Sequence, residues 1–280
     1  TKVSRQRGKN NCALMFLKKS VYIVLFVSIL ASCSRQYDKV FKSNNVENKL
    51  KLADELYNKK KYDKAIPLYE QLLTVLKGQK SVDDIYYKYA NSHYQNKSYE
   101  LAAFYLRSFY NTYPANENAE QAAFDEAMCY LKQSPRFSLE QTSTQRAIEA
   151  FGEFVNRYPQ STRMSLANER IDELRGKLRK KSYESAYLYY KIGQYHAAAI
   201  AFENFLKEYP EYEKPEKVDY YIVKSLKKFA DGSYKDKQAE RMKEHHTAYE
   251  KFKSKYPNSE YLAELNKMQG SNHKLNNKKK

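Results

Sequence analysis

Apolar residues in this chain recur at helical spacing, and four times the recurrence is cut by one phrase, Phe-x-x-x-Tyr-Pro: Phe109 to Pro114, Phe154 to Pro159, Phe205 to Pro210 and Phe252 to Pro257. The prolines lie 45, 51 and 47 residues apart, a spacing typical of a repeated supersecondary unit. Proline disfavours helical geometry in the residue before it, so each Tyr-Pro predicts a helix end at the same point of the unit. Upstream of the stops, Ala102, Leu106 and Phe109, then Ala147, Phe151 and Phe154, then Ala198, Phe202 and Phe205 stand at offsets 0, 4 and 7. Those offsets share one helix face, with a small residue followed by two large ones. An aromatic precedes two of the alanines by three residues, in Lys97-Ser98-Tyr99 and Gly193-Gln194-Tyr195. A copy without the proline stop comes earlier, with Lys60-Lys61-Tyr62, Ala65, Tyr69 and Leu72.

Composition supports a helical reading. Only 7 Gly and 7 Pro occur in 280 residues, too few for the frequent turns of a β-sandwich or for the strand-helix junctions of an α/β fold. The pattern resembles the tetratricopeptide repeat, and it implies an all-α, tetratricopeptide-type helical-repeat solenoid of about five helix pairs over residues 47–260. The match is good at 47–76, 83–114 and 179–210. It is partial in the unit ending at Pro159, where Gln133 to Thr142 is inserted between the helices, and in the unit ending at Pro257, where His245 replaces the small residue. In such a repeat, neighbouring units bury one another and present an extended binding surface.

The first 32 residues read differently. Val21 to Ala31 is an apolar run preceded by Lys18 and Lys19 and followed by Ser32 and Cys33. Eleven residues rise about 16 Å as a helix, half a bilayer core, which predicts a signal-peptide core and not a span. Leu30-Ala31-Ser32-Cys33 resembles the lipobox of bacterial lipoproteins. Lipidation is therefore expected at Cys33, with palmitate-type acyl chains anchoring the mature start. Met15 is the natural start of this leader, which places residues 1–14 outside the expected gene product. Residues 33–46 are expected to be a flexible tether, and residues 261–280 a basic, polar tail.

Processing at Cys33 removes six basic residues and no acidic one, taking the net charge from +17 to +11. Cys12 leaves with the leader and Cys33 is acylated, so Cys129 stands alone in the mature chain and no internal disulfide is expected. Its helical, apolar context predicts a small buried thiol.

The resemblance narrows further. Gln141-Thr142, Ala147-Ile148, Ala150-Phe151, Phe154, Tyr158-Pro159 and Ser161 precede Ile171 to Leu174, then Tyr189-Tyr190, Gly193, Tyr195, Ala197-Ala198 and Phe202 to Pro210. This order is similar to the BamD family, the lipoprotein component of the outer-membrane β-barrel assembly machinery, over roughly Asn48 to Pro257. The family implies a lipid-anchored adaptor on the periplasmic face of the outer membrane. Its partners would be the barrel-assembling subunit, docked through C-terminal repeats, and unfolded outer-membrane proteins, met by N-terminal repeats. In this repeat the first helix of each pair lines the groove. Tyr57, Tyr87, Asn91 and Tyr94 are then candidates for peptide binding, and Tyr183, Tyr187 and Tyr190 for partner docking. Helix-to-helix packing is the competing role for each tyrosine.

No phosphate loop, G-x-S-x-G or H-E-x-x-H occurs, so neither an enzyme nor a cofactor is expected. Among His93, His196, His245, His246 and His273 only one pair is adjacent. Neighbours on a helix point about 100° apart, which argues against a shared metal. His93 is expected to be a buried, hydrogen-bonded side chain. The export signal argues against a nucleic-acid partner. A rival reading, a surface glycan-binding lipoprotein with helical repeats, lacks the tryptophans of a sugar platform, since the chain has none.

Overall fold

A computed structural model describes residues 36–79 and 82–276, with side chains described to residue 269. All regular secondary structure among the described residues is helical, without strands. The helices are α1 (Val46–Asn58), α2 (Tyr62–Val75), α3 (Val82–Gln95), α4 (Tyr99–Thr112), α5 (Ala119–Gln133), α6 (Thr142–Arg157), α7 (Met164–Lys191), α8 (Tyr195–Glu208), α9 (Pro215–Asp231), α10 (Lys235–Lys255) and α11 (Leu262–Asn276). Two compact units result. Of the described residues, one holds those up to Gln133 with Glu149–Met164, and the other holds Ser134–Ile148 with those from Ser165 onward.

The sequence punctuation has a physical counterpart in each unit. Helices α4, α6, α8 and α10 all end at the residue before the Tyr of Tyr-Pro. Tyr113, Tyr209 and Tyr256 take ψ of 61°, 68° and 67°, outside the helical well. Each of the four Tyr N–H groups still closes a last helical hydrogen bond, to the carbonyl of the Phe four residues back, at 2.8 to 2.9 Å. Its ring tilts against that Phe at 5.1 to 5.8 Å between centroids. The repeated phrase is thus a stop and an aromatic plug together.

The turn inside each well-matched pair is also shared. Lys60, Lys97 and Gly193 carry φ of 58°, 63° and 80°, the left-handed geometry that closes a helix. The next residue's N–H reaches five residues back: Lys61 to Leu56 at 2.8 Å, Ser98 to His93 at 2.9 Å and Gln194 to Tyr189 at 2.9 Å. After each turn the small positions Ala65, Ala102 and Ala198 are fully buried, which brings paired helices into close contact, and Ala147 is fully buried as well. The buried core of the first unit, with Leu68, Tyr69, Leu72, Ile85 and Tyr89, sits against α1. In the last pair His245 fills the small position, buried with Nδ1 3.2 Å from the Val223 carbonyl.

Both ends are more ordered than the polar composition predicts. Residues 36–42, in the expected tether, are helical. Tyr37 and Phe41, four apart on one face, stack at 5.8 Å and pack on the first unit's core. In the expected tail, α11 buries Leu265 against Tyr220, Val223, Tyr249 and Phe252. A repeat array leaves an apolar face at each end, and a few well-spaced apolar residues suffice to cover it. The insertion after Gln133 is held by its own polar groups, with Gln141 Nε2 donating to the carbonyls of Arg136 and Leu139 at 2.9 and 3.0 Å.

Candidate functional site

On α3, Tyr87, Asn91 and Tyr94 stand at offsets 0, 4 and 7, one helix face. The fold turns that face toward α5. Together with Gln121 and Asp125 of α5, the preceding Glu117 and Asn118, and Arg163, they line a cavity of about 570 Å³ in the first unit. The approach to α5 is fixed by Asn116, which donates to Asp83 and accepts from the Asn118 N–H, both at 2.8 Å. At the rim, the Ser161 hydroxyl donates to Glu120 at 2.7 Å.

Three of the four residues expected to bind peptide thus share one cavity. The fourth, Tyr57, lies behind it and donates to Asn91 Oδ1 at 2.8 Å. Its ring packs edge-on against Tyr62 and Tyr69. Tyr94 meets Tyr99 in the same way, and Tyr190 meets Tyr195, at 6.0 and 5.7 Å. This recurring contact joins the two helices of a pair, so packing is one part of what these tyrosines do. Asn91, only 6 % exposed, spends Oδ1 on Tyr57 and has its amide N–H groups left to donate. Burial first, with the Asp125 charge adding to it, raises the Tyr87 hydroxyl above its ordinary range and pushes Tyr94 up to about 12.

Asp125 and Arg163 escaped the sequence reading. Asp125 is 7 % exposed, and burial pushes its carboxyl up to about 6 against smaller opposing contributions from Gln121 and Arg163. Its neighbour Glu126 is buried as well, but accepts from Arg107 Nε at 2.7 Å and the Tyr110 hydroxyl at 2.6 Å. No cation lies within ion-pair distance of Asp125 among the described residues. The one sequence signal was the pair of adjacent acids, Asp125 and Glu126, inside the otherwise apolar stretch Ala122 to Cys129.

In the second unit, Tyr183, Tyr187 and Tyr190 form a stacked column at 6.4 and 6.2 Å. Tyr221 closes on the latter two at 5.2 and 5.3 Å, and Tyr183 rests on Phe202 and Phe205. All three are half-buried. Lys191 Nζ lies 5.1 Å over the Tyr187 ring.

Cys33 lies outside the described residues. Cys129 is fully buried, and burial above all raises its thiol, with Asp125 and Glu126 adding to it. The expectation for His93 needs correction. It is buried, but neither ring nitrogen has a hydrogen-bond partner among the described residues. The imidazole stacks on Tyr105 at 5.4 Å and meets Tyr89 edge-on at 4.8 Å. Burial lowers its pKa, so it behaves as a neutral aromatic core residue.

Paired helices joined by left-handed turns and packed at recurrent small residues define a helical-repeat protein. The chain belongs to the YfiO outer membrane lipoprotein family, whose model matches residues 44–218 and 179–278. It is 29 % identical over 118 residues to an outer membrane protein assembly factor BamD of Caulobacter vibrioides, covering 42 % of this chain and 39 % of that protein. It is 30 % identical over 172 residues to a putative outer membrane protein assembly factor BamD of Aquifex aeolicus, covering 61 % of this chain and 56 % of that one. The chain thus spans between about two fifths and three fifths of the relatives it matches. Among solved structures, the MamA protein is similar at 15 % identity and a TM-score of 0.30, covering 76 % of this chain and 96 % of that one. The nearly identical TPR-like repeats of a Podosopora anserina putative kinesin light chain are similar at 12 % identity and a TM-score of 0.31, covering 78 % and 100 %.

Proposed function

We propose that this chain is a lipid-anchored scaffold of outer-membrane β-barrel protein assembly, held at the periplasmic face of the outer membrane through acylated Cys33. Its first unit receives unfolded barrel proteins, and its second unit docks on the barrel-assembling subunit through the surface around Tyr183, Tyr187 and Tyr190. The observation that carries the reading is the cavity of Tyr87, Asn91 and Tyr94. An extended peptide brings unpaired amides and alternating side chains. Tyrosine rings cover the side chains, while hydroxyls and the Asn91 amide meet the backbone. Membership of an outer membrane lipoprotein family and similarity to two BamD proteins support the setting.

Truncating an aromatic anchor commonly costs about 2 kcal/mol, roughly thirtyfold in affinity. Tyr87→Ala with Tyr94→Ala is expected to weaken binding of the aromatic C-terminal segment of a barrel protein by at least that factor, with helix content by circular dichroism unchanged. Tyr183→Ala with Tyr187→Ala should spare the peptide and reduce co-purification of the barrel-assembling subunit from detergent-solubilised envelope. Parental peptide affinity in both double variants would mean that the tyrosines serve packing alone.

A further inference from the structure

We propose that the α3–α5 cavity takes a cationic side chain, Lys or Arg, from the bound peptide, with Asp125 as its counter-ion. The inference rests on the peptide-receiving reading and adds the chemistry of what is read. Two adjacent residues of α5 set up the comparison. Glu126, 1 % exposed, is fully provided for by Arg107 and Tyr110. Asp125, 7 % exposed and on the cavity wall, is approached by Gln121 of its own helix and feels Arg163 across the cavity, but has no cation within ion-pair distance among the described residues. A buried carboxylate is retained at a cost unless something neutralises it. Here the neighbouring site shows that the same helix supports a fully paired acid.

The walls fit a cation. Tyr87 and Tyr94 are half-buried and line the cavity beside Asp125, and an ammonium or guanidinium held over a tyrosine face gains further attraction. Asn91 has amide N–H groups available for a backbone carbonyl of the same peptide. Charge excludes the opposite choice: Glu117, Glu120 and Asp125 stand against the single Arg163, so a peptide's terminal carboxylate meets net repulsion. Arg163 makes no ion pair among the described residues and lies 5.4 Å from the Phe124 ring centroid. At about 570 Å³ the cavity falls among ordinary ligand sites, roughly 300 to 1,000 Å³.

The test uses the full chain and three synthetic peptides of alternating aromatic and polar residues. One carries a central lysine and an amidated end, one has norleucine in place of the lysine, and one has lysine with a free carboxyl end. Binding is read by fluorescence anisotropy. The parent should prefer lysine over norleucine by about tenfold. Asp125→Asn should abolish that preference. Arg163→Gln should strengthen lysine-peptide binding, an opposite sign that misfolding does not mimic. Equal binding of lysine and norleucine by the parent, or a preference that survives Asp125→Asn, overturns the cation site while leaving the peptide reading intact. A requirement for the free carboxyl end overturns it in favour of carboxylate capture. Failure of all three peptides to bind the parent removes the peptide reading, and the cation site with it.

Discussion

Asp125 makes a demand that can be measured without any ligand. Its carboxyl has an ordinary value of 3.8 and is pushed up to about 6, first by burial. That difference corresponds to about 3 kcal/mol by which the folded state disfavours the charged form. Folded protein therefore binds a proton that unfolded protein has released between those two pH values. Asp125 penalises stability above about pH 6, and the penalty is relieved as pH falls toward about 4. Asp125→Asn keeps the shape and removes the charge. It leaves a buried amide whose unmade hydrogen bonds return about 1 kcal/mol of the gain. The expected outcome at about pH 7.5 is a variant more stable than the parent by about 1 to 2 kcal/mol. At about pH 4.5 the advantage should be largely gone. Urea unfolding followed by far-UV circular dichroism, with parent and variant compared at each pH, isolates this group from the other carboxylates. A variant less stable than the parent at both pH values would show that the carboxylate supports the fold, and would remove the argument that Asp125 awaits a partner. Stability gained together with lysine selectivity lost would be the signature of a binding residue kept at the expense of the fold.

Other outcomes follow from the turns, the packing and the anchor. Gly193→Ala should lower stability by about 1 kcal/mol, because φ of 80° penalises a Cβ, whereas Lys97→Gly at the equivalent turn should raise it by a fraction of that; both are read by urea unfolding. Ala198→Leu should overpack a fully buried junction and cost about 1 to 3 kcal/mol, and an unchanged melting temperature would show the site yields more easily than its burial implies. Cys33→Ala should leave an uncleaved, unacylated precursor by intact-mass analysis of the membrane fraction. A parent mass lacking added lipid would end the lipoprotein reading, since stable anchoring takes more than one acyl chain.

Much of the architecture was legible because its causes are local. A proline acts on the residue before it, a left-handed turn is closed by bonds four to six residues long, and offsets of four and seven lie on one helix whatever surrounds it. Helix ends at Thr112, Arg157, Glu208 and Lys255 and the burial of Ala102, Ala147 and Ala198 could therefore be read from spacing. The face shared by Tyr87, Asn91 and Tyr94 was legible in the same way. What that face meets was not. Asp125 and Arg163 reach the cavity through the path of the chain between α3 and α7, a matter of long-range packing with no periodic trace. Nor did spacing distinguish the two acids of α5, since one step along a helix, about 100°, separates Arg107 and Tyr110 from the cavity. The ordered ends were missed for a related reason: Tyr37, Phe41 and Leu265 are too few to form a pattern, yet each finds an apolar repeat face that exists only once its neighbours have folded.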